Sequence, residues 1–209
     1  MGCYAAITAL KLARHIVRSE PAAKVLVVSV ELCTLHLQET EDLDRLLTFL
    51  LFGDGASAAL ISAAPAGLAL DAFTSVLVPQ ASDQITWTIR DCGFDMVLSG
   101  QVPGTINAAL RSGAMRVLPG LAAGAIDLWA VHPGGRTVLD AVEGAFDLGQ
   151  SALSASRAVL QDYGNMSSPT VMFVLEAMLR AKVPAGARGC AMAFGPGLTA
   201  ETMLFRAAA

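Results

Sequence analysis

Three residues of this sequence could together carry out covalent, nucleophilic chemistry: Cys3, His132 and Asn165. Cys3 stands at the start of an apolar helical stretch. Free backbone N–H groups and the helix dipole favour a thiolate there and depress a thiol's pKa. His132 closes an apolar strand and is followed by Pro133-Gly134-Gly135, a backbone that a ligand can approach closely. Asn165 lies between Gly164 and a Met-Ser-Ser-Pro helix start. A thiolate nucleophile, a histidine to pair with it and an amide to donate to an oxyanion form a coherent set. Spacing alone leaves a plainer reading open. A lone histidine after a strand is often a satisfied core residue, and Gly-Asn is common turn chemistry. On the same grounds His15 and His36 read as surface or locally hydrogen-bonded residues.

The remaining composition narrows the classes. Cys3, Cys33, Cys92 and Cys190 include no CxxC pair, so neither a zinc nor a redox motif is expected, and no metal. Spread thiols in an apolar chain read as reduced, buried and cytoplasmic. The 209 residues carry 14 basic and 18 acidic side chains, a net charge of −4, which argues against a non-specific nucleic-acid binder. Apolar residues make up 54% and charged ones 15%, so the chain is built to pack rather than to stay disordered. No membrane span is expected: the longest apolar run, 46–64, is broken by Gly53-Asp54-Gly55. No signal peptide is expected either, because no cationic segment precedes an apolar one.

These residues need elements to hold them. Apolar positions from Cys3 to Arg18 follow a helical face, and Pro21 stops it. Val25–Val30 reads as a β-branched run, interrupted in its apolar character only at Ser29, and is expected as a strand buried on both faces. The acidic stretch 39–44 reads as a solvated loop or helix start. Strands are expected at Ala56–Ile61, Leu68–Leu77, Thr86–Leu98, Ala125–Val131, Cys190–Phe194 and Glu201–Ala207. Helices are expected at Val102–Leu118, Thr137–Leu148, Ser151–Tyr163 and Thr170–Ala181. Mixed strands and helices indicate layered α/β architecture. Pro65 and Gly67 suggest a boundary, dividing the chain into 1–64 and 65–209.

Five segments occur in order: Gly2-Cys3-Tyr4-Ala5-Ala6, Leu51-Phe52-Gly53-Asp54-Gly55-Ala56, Val131-His132-Pro133-Gly134-Gly135, Tyr163-Gly164-Asn165-Met166-Ser167-Ser168 and Phe194-Gly195-Pro196-Gly197-Leu198-Thr199. Together they closely resemble the type III polyketide synthases, the chalcone and stilbene synthase family, from Cys3 to the C-terminus. Tyr4, Leu35–Thr40 and Ile85–Thr88 look more like bacterial members than plant ones. The resemblance implies a thiolase fold (layered α-β-α-β-α), a homodimer and a Cys-His-Asn triad. By motif, Cys3 would be the nucleophile, His132 its partner and Asn165 the third member. Phe52 matches one of the family's two gatekeeper phenylalanines. The second maps near Met96, a departure from the plant pattern. Cys33, His36, Thr48, Trp87 and Ser167 fall at or near positions that shape the family's acyl cavity, and Pro196 belongs to the closing loop beside it. Trp87 is bulky where plant members have a small residue, so it is expected to narrow or redirect that cavity.

The implied reaction begins with Cys3 attacking an acyl-CoA starter. Malonyl-CoA then loses CO2, and donors from His132 and Asn165 hold the resulting enolate in a water-poor pocket. The enolate attacks the Cys3-bound acyl group, and repetition and cyclisation give an aromatic or pyrone product. Coenzyme A thioesters serve as substrates, and no cofactor is implied. Two rivals remain. One is a ketoacyl-carrier-protein synthase III-like enzyme, although its histidine is usually followed by a different motif. The other is an inactive thiolase-fold fragment. Family chains are markedly longer, with several elements ahead of the nucleophile. This chain is therefore expected to lack most of the first half, to need that missing N-terminal segment, and to be unstable or inactive alone. The family's basic CoA contacts lie largely in that region, with Arg136 a weak local candidate.

Overall fold

The structure, a computed structural model, describes residues 1–91, 93–181 and 183–208. Cys92 lies outside them, so its expected burial is not addressed. A single 3₁₀ turn, Gly2–Tyr4, runs directly into α1 (Ala5–Ser19). Ala6, Ile7, Leu10, Ala13 and Val17 form the buried stripe of α1, at the three-to-four-residue spacing of one helix face.

The strand over the 25–30 run is β1 (Val25–Glu31), paired antiparallel with β2 (Gly55–Ile61) from Val25↔Ile61 to Glu31↔Gly55. Between them the acidic stretch leads into α2 (Leu43–Leu51). One expectation fails here. Val27 and Ser29 are buried, but Leu26, Val28 and Val30 are 61%, 57% and 59% exposed. This two-stranded ribbon packs on helices on one face only. A run that is apolar apart from Ser29 looks much the same in sequence whether one or both faces are covered.

The main sheet has four strands in the order β3 (Leu68–Leu77), β8 (Thr199–Ala207), β7 (Arg188–Gly195), β6 (Leu128–Val131). β6 and β7 run parallel, and the other pairs are antiparallel. Alternation along β7 sends Cys190, Met192 and Phe194 into one core, with α3 (Val102–Arg111) and α4 (Arg136–Ala145). Ala191 and Ala193 face the other core, with α1 and α6 (Pro169–Arg180). The layers are therefore ribbon, α1 with α6, sheet, and α3 with α4. The small alanines let α1 and α6 lie close on the sheet. A separate hairpin, β4 (Ile85–Arg90) and β5 (Gly93–Leu98), sets Trp87 opposite Met96, where the sequence suggests one strand-like stretch. Between α4 and α6 in the chain, α5 (Ser154–Tyr163) packs against both.

α3 is shorter than its apolar pattern suggests. It ends at Arg111, and Gly113 follows with φ +73°, a left-handed stop. Met115 and Val117 beyond it are still buried, so the pattern reports core burial rather than helix. Among the described residues, no helix is long and apolar enough to cross a membrane.

Candidate active site

Four loops converge beside the ends of β6 and β7. Cys3 sits in the turn ahead of α1, half-buried. That turn lies hard against the end of β7: a Cβ on Gly195 would fall 2.6 Å from the Tyr4 ring. A side chain at this position would push the nucleophile's turn away, which accounts for glycine there.

His132 continues the pairing of β6, its N–H donating to the Met192 carbonyl at 2.7 Å. The residue is 1% exposed, and among the described residues neither Nδ1 nor Nε2 has a hydrogen-bond partner. Desolvation drives its pKa from 6.5 down to about 3, so the imidazole is neutral. A buried ring with one unused N–H and one unused lone pair can meet both an incoming carbonyl oxygen and a proton.

Asn165 is likewise 1% exposed. Its loop, between α5 and α6, is clipped to the end of α2. The Asn165 N–H donates to the Leu51 carbonyl at 3.1 Å, and the Gly53 N–H donates to the Asn165 carbonyl at 2.9 Å. Phe52 lies between those two partners, so one clip positions both Phe52 and Asn165. The Ser167 N–H donates to Asn165 Oδ1 at 2.9 Å, which fixes the amide's orientation. Asn165 Nδ2 makes a long 3.4 Å contact with the Gly134 carbonyl and keeps donor capacity. Ser167 has φ +58°, an uncommon conformation for a residue with a Cβ and the kind of strain that clusters at functional sites.

Cys3, His132 and Asn165 line one cavity of about 50 Å³ together with Phe52, Trp87, Met96, Ser167 and Pro196. Apart from Gly2, Gly134 and Gly195, the rest of its wall is Ile85, Leu98, Val102, Ile106, Val138 and Phe194, all apolar. Sequence reasoning left these wall residues out, because their periodicity says core without saying which part of the core is hollow. A smaller cavity of about 20 Å³ lies on the other side of Phe52, Trp87, Met96 and Ser167. It holds Cys33 and His36, with Glu31 and Phe49. The His36 ring meets Trp87 and Phe94 edge-on at 4.7 and 5.4 Å. Thr48 lines neither cavity; it faces an outer groove between α2 and the hairpin.

The expected low pKa of Cys3 is not what the structure gives. Burial of the sulfur pushes the thiol up to about 11. Hydrogen bonding from Ser167 and Asn165 acts the other way, and the nearby Glu31 charge adds to the rise. The helix dipole is present, but desolvation outweighs it. Cys33 is pushed up to about 12 by burial and by Glu31. The resting site thus holds a neutral thiol beside a neutral imidazole.

A thiol, an unpaired imidazole and an oriented amide thus share an apolar pocket at the edge of a thiolase-like α/β unit, a set suited to nucleophilic chemistry. Sequence comparisons identify the family. The description "Chalcone and stilbene synthases, C-terminal domain" matches residues 69–209, and the N-terminal domain of the same family matches residues 1–65. The chain belongs to this family, the type III polyketide synthases. It is 37% identical to the alpha-pyrone synthesis polyketide synthase-like Pks18 of Mycobacterium tuberculosis, over 98% of this chain and 55% of that protein. Identity with bisdemethoxycurcumin synthase of Oryza sativa subsp. japonica is 36%, over 99% of this chain and 56% of the rice enzyme. Among solved structures, the 1,3,6,8-tetrahydroxynaphthalene synthase of Streptomyces coelicolor A3(2) superposes with a TM-score of 0.92 at 31% identity, covering 100% of this chain and 61% of that one. PKS-I from the brown alga Ectocarpus siliculosus gives 0.89 at 31% identity, over 99% and 59%. The chain spans a little over half the length of the curated relatives it matches.

Proposed function

We propose that this protein performs a decarboxylative Claisen condensation of malonyl-CoA onto an acyl-CoA starter, held as a thioester on Cys3. The convergence of Cys3, His132 and Asn165 on one apolar cavity carries this reading. The Cys3 sulfur attacks the starter thioester as its proton passes to His132, and coenzyme A leaves with that proton. Malonyl-CoA binds next, its thioester oxygen facing the N–H of His132 and Nδ2 of Asn165. The carboxylate C–C bond breaks, CO2 departs, and the electron pair forms an enolate whose oxygen these donors hold. The enolate carbon attacks the Cys3-bound carbonyl, and the Cys3 thiolate leaves. Further rounds and ring closure give a pyrone or aromatic product. Coenzyme A thioesters are the substrates and no further cofactor enters. Alpha-pyrone synthesis in the name of one relative supports the product class.

A homodimer, a further segment of the same protein and a cytoplasmic setting belong to the same reading. The exposed Leu26, Val28 and Val30 support a partner or covering layer. The test is turnover of malonyl-CoA with a series of acyl-CoA starters. Asn165→Ala is expected to slow decarboxylation by about 10²–10³-fold, while iodoacetamide still labels Cys3. Unchanged turnover in that variant overturns the assignment.

A further inference from the structure

Besides Ser167, three side chains, Phe52, Trp87 and Met96, line both the cavity around Cys3 and the smaller one behind it. They come from two elements. Phe52 follows α2, whereas Trp87 and Met96 face each other across the β4–β5 hairpin. Among the described residues the hairpin is a sheet of its own, paired with no other strand. A lone two-stranded hairpin is marginal by itself, so its place depends on what its side chains hold.

Ile85 and Leu98 pack the hairpin's base on the core, and the rest of it holds α2 and the loop before it. Asp95, next to Met96, takes Arg45 of α2 on Oδ1 at 3.0 Å and Arg90 of β4 on Oδ2 at 2.8 Å. The two arginines hold the Asp95 carboxyl below the usual carboxylate range. Gln38 adds a second strut, its Nε2 donating to the Phe94 carbonyl at 2.9 Å and its Oε1 accepting from Arg45 at 3.4 Å. This clasp joins the element that carries Phe52 to the one that carries Trp87 and Met96. The cavity at Cys3 is about 50 Å³, room for a few water molecules. An acyl chain reaching the sulfur therefore has to part these walls.

We infer that the Arg45–Asp95–Arg90 clasp, braced by Gln38, sets the gap between Phe52 and the Trp87–Met96 pair, and thereby how bulky a group can reach Cys3. Asp95 and Arg45 are positioning residues: they act through the walls and do not line the Cys3 cavity. The inference rests on the proposed function only in taking Cys3 as the thiol that substrates reach.

Alkylation of Cys3 tests this without turnover. The full chain is treated with iodoacetamide and, separately, with N-cyclohexylmaleimide, and labelling of Cys3 is followed by peptide mass spectrometry. The readout is the rate ratio, bulky over small. In Asp95→Asn and Arg45→Gln the ratio is expected to rise about tenfold over the native chain. Asp95→Glu, which keeps the charge, should stay within twofold of native. The clasp is partly exposed, so salt screens it. Moving the native chain from low salt to molar NaCl should raise the same ratio severalfold, and this arm decides the matter if a variant does not fold. A ratio that stays level or falls in the folded variants, or in the salt series where they do not fold, overturns the inference. So does an Asp95→Glu ratio as high as that of Asp95→Asn. A chain that shows the shift yet never decarboxylates malonyl-CoA overturns the proposed function and leaves the clasp standing.

Discussion

Burial of His132 without a partner couples its protonation to folding. Its pKa is 6.5 when unfolded and about 3 in the fold. Between those values the unfolded chain binds the proton and the folded chain does not, so stability falls as pH drops below 6.5. The loss is about 2 kcal/mol by pH 5. A His132→Gln chain lacks that group, so its denaturation midpoint should fall less between pH 7 and pH 5; equal losses in both would contradict a neutral buried imidazole. Cys3 shifts the opposite way. Its thiol, normally near 9, sits at about 11, so iodoacetamide labelling should still be accelerating between pH 9 and 10. A plateau near neutrality would instead mean an ion pair with His132. The meeting of Cys3, His132 and Asn165 in one cavity is what their motifs lead one to expect, but the direction of the Cys3 shift is not. A helix start is visible in sequence, whereas desolvation depends on walls assembled from α3, α4 and the hairpin.

Among the elements, β7 bears most directly on the site, since it pairs with the strand before His132 and its last residue touches the turn of Cys3. Gly195→Ala would place a methyl within 3 Å of the Tyr4 ring and close to the Met1 carbonyl. Relief requires shifting the Cys3 turn, at a cost of about 1–3 kcal/mol. The expected result is a lowered melting temperature together with changed Cys3 labelling. Labelling identical to the native chain would show that the turn is not held by this contact. The small residues of β7, and the loops after β6 and before α6, were readable because glycine, proline and asparagine mark turns by their own chemistry. Helix ends were less so. The 102–118 pattern ran past Arg111 because Met115 and Val117 are buried without being helical. Nor could the two halves of the 86–98 stretch be told from one strand. The family resemblance puts Thr48 near the acyl cavity, but α2 turns it to the outer groove.

At the scale of the whole molecule, the layers differ in how well they are covered. The four-stranded sheet has helices on both faces, while the β1–β2 ribbon has them on one. The two faces of β1 should therefore respond differently to the same change. Val27 is 8% exposed and Val28 57%. Valine to threonine keeps the shape and the β-branching but adds a hydroxyl. At Val27 the hydroxyl must be buried among α1 and α6 side chains, so Val27→Thr should cost about 1–3 kcal/mol. At Val28 it meets solvent, so Val28→Thr should stay within about 0.5 kcal/mol. The same exposed stripe, Leu26, Val28 and Val30, favours association with another apolar surface. Val28→Thr should thus lower hydrophobic-dye binding and concentration-dependent sedimentation while leaving the denaturation midpoint in place. A midpoint that falls as far as that of Val27→Thr would mean the outer face of β1 is covered in solution. In that event the dependence of the midpoint on protein concentration distinguishes a second copy, which dilution removes, from a cover within the same chain, which dilution leaves in place.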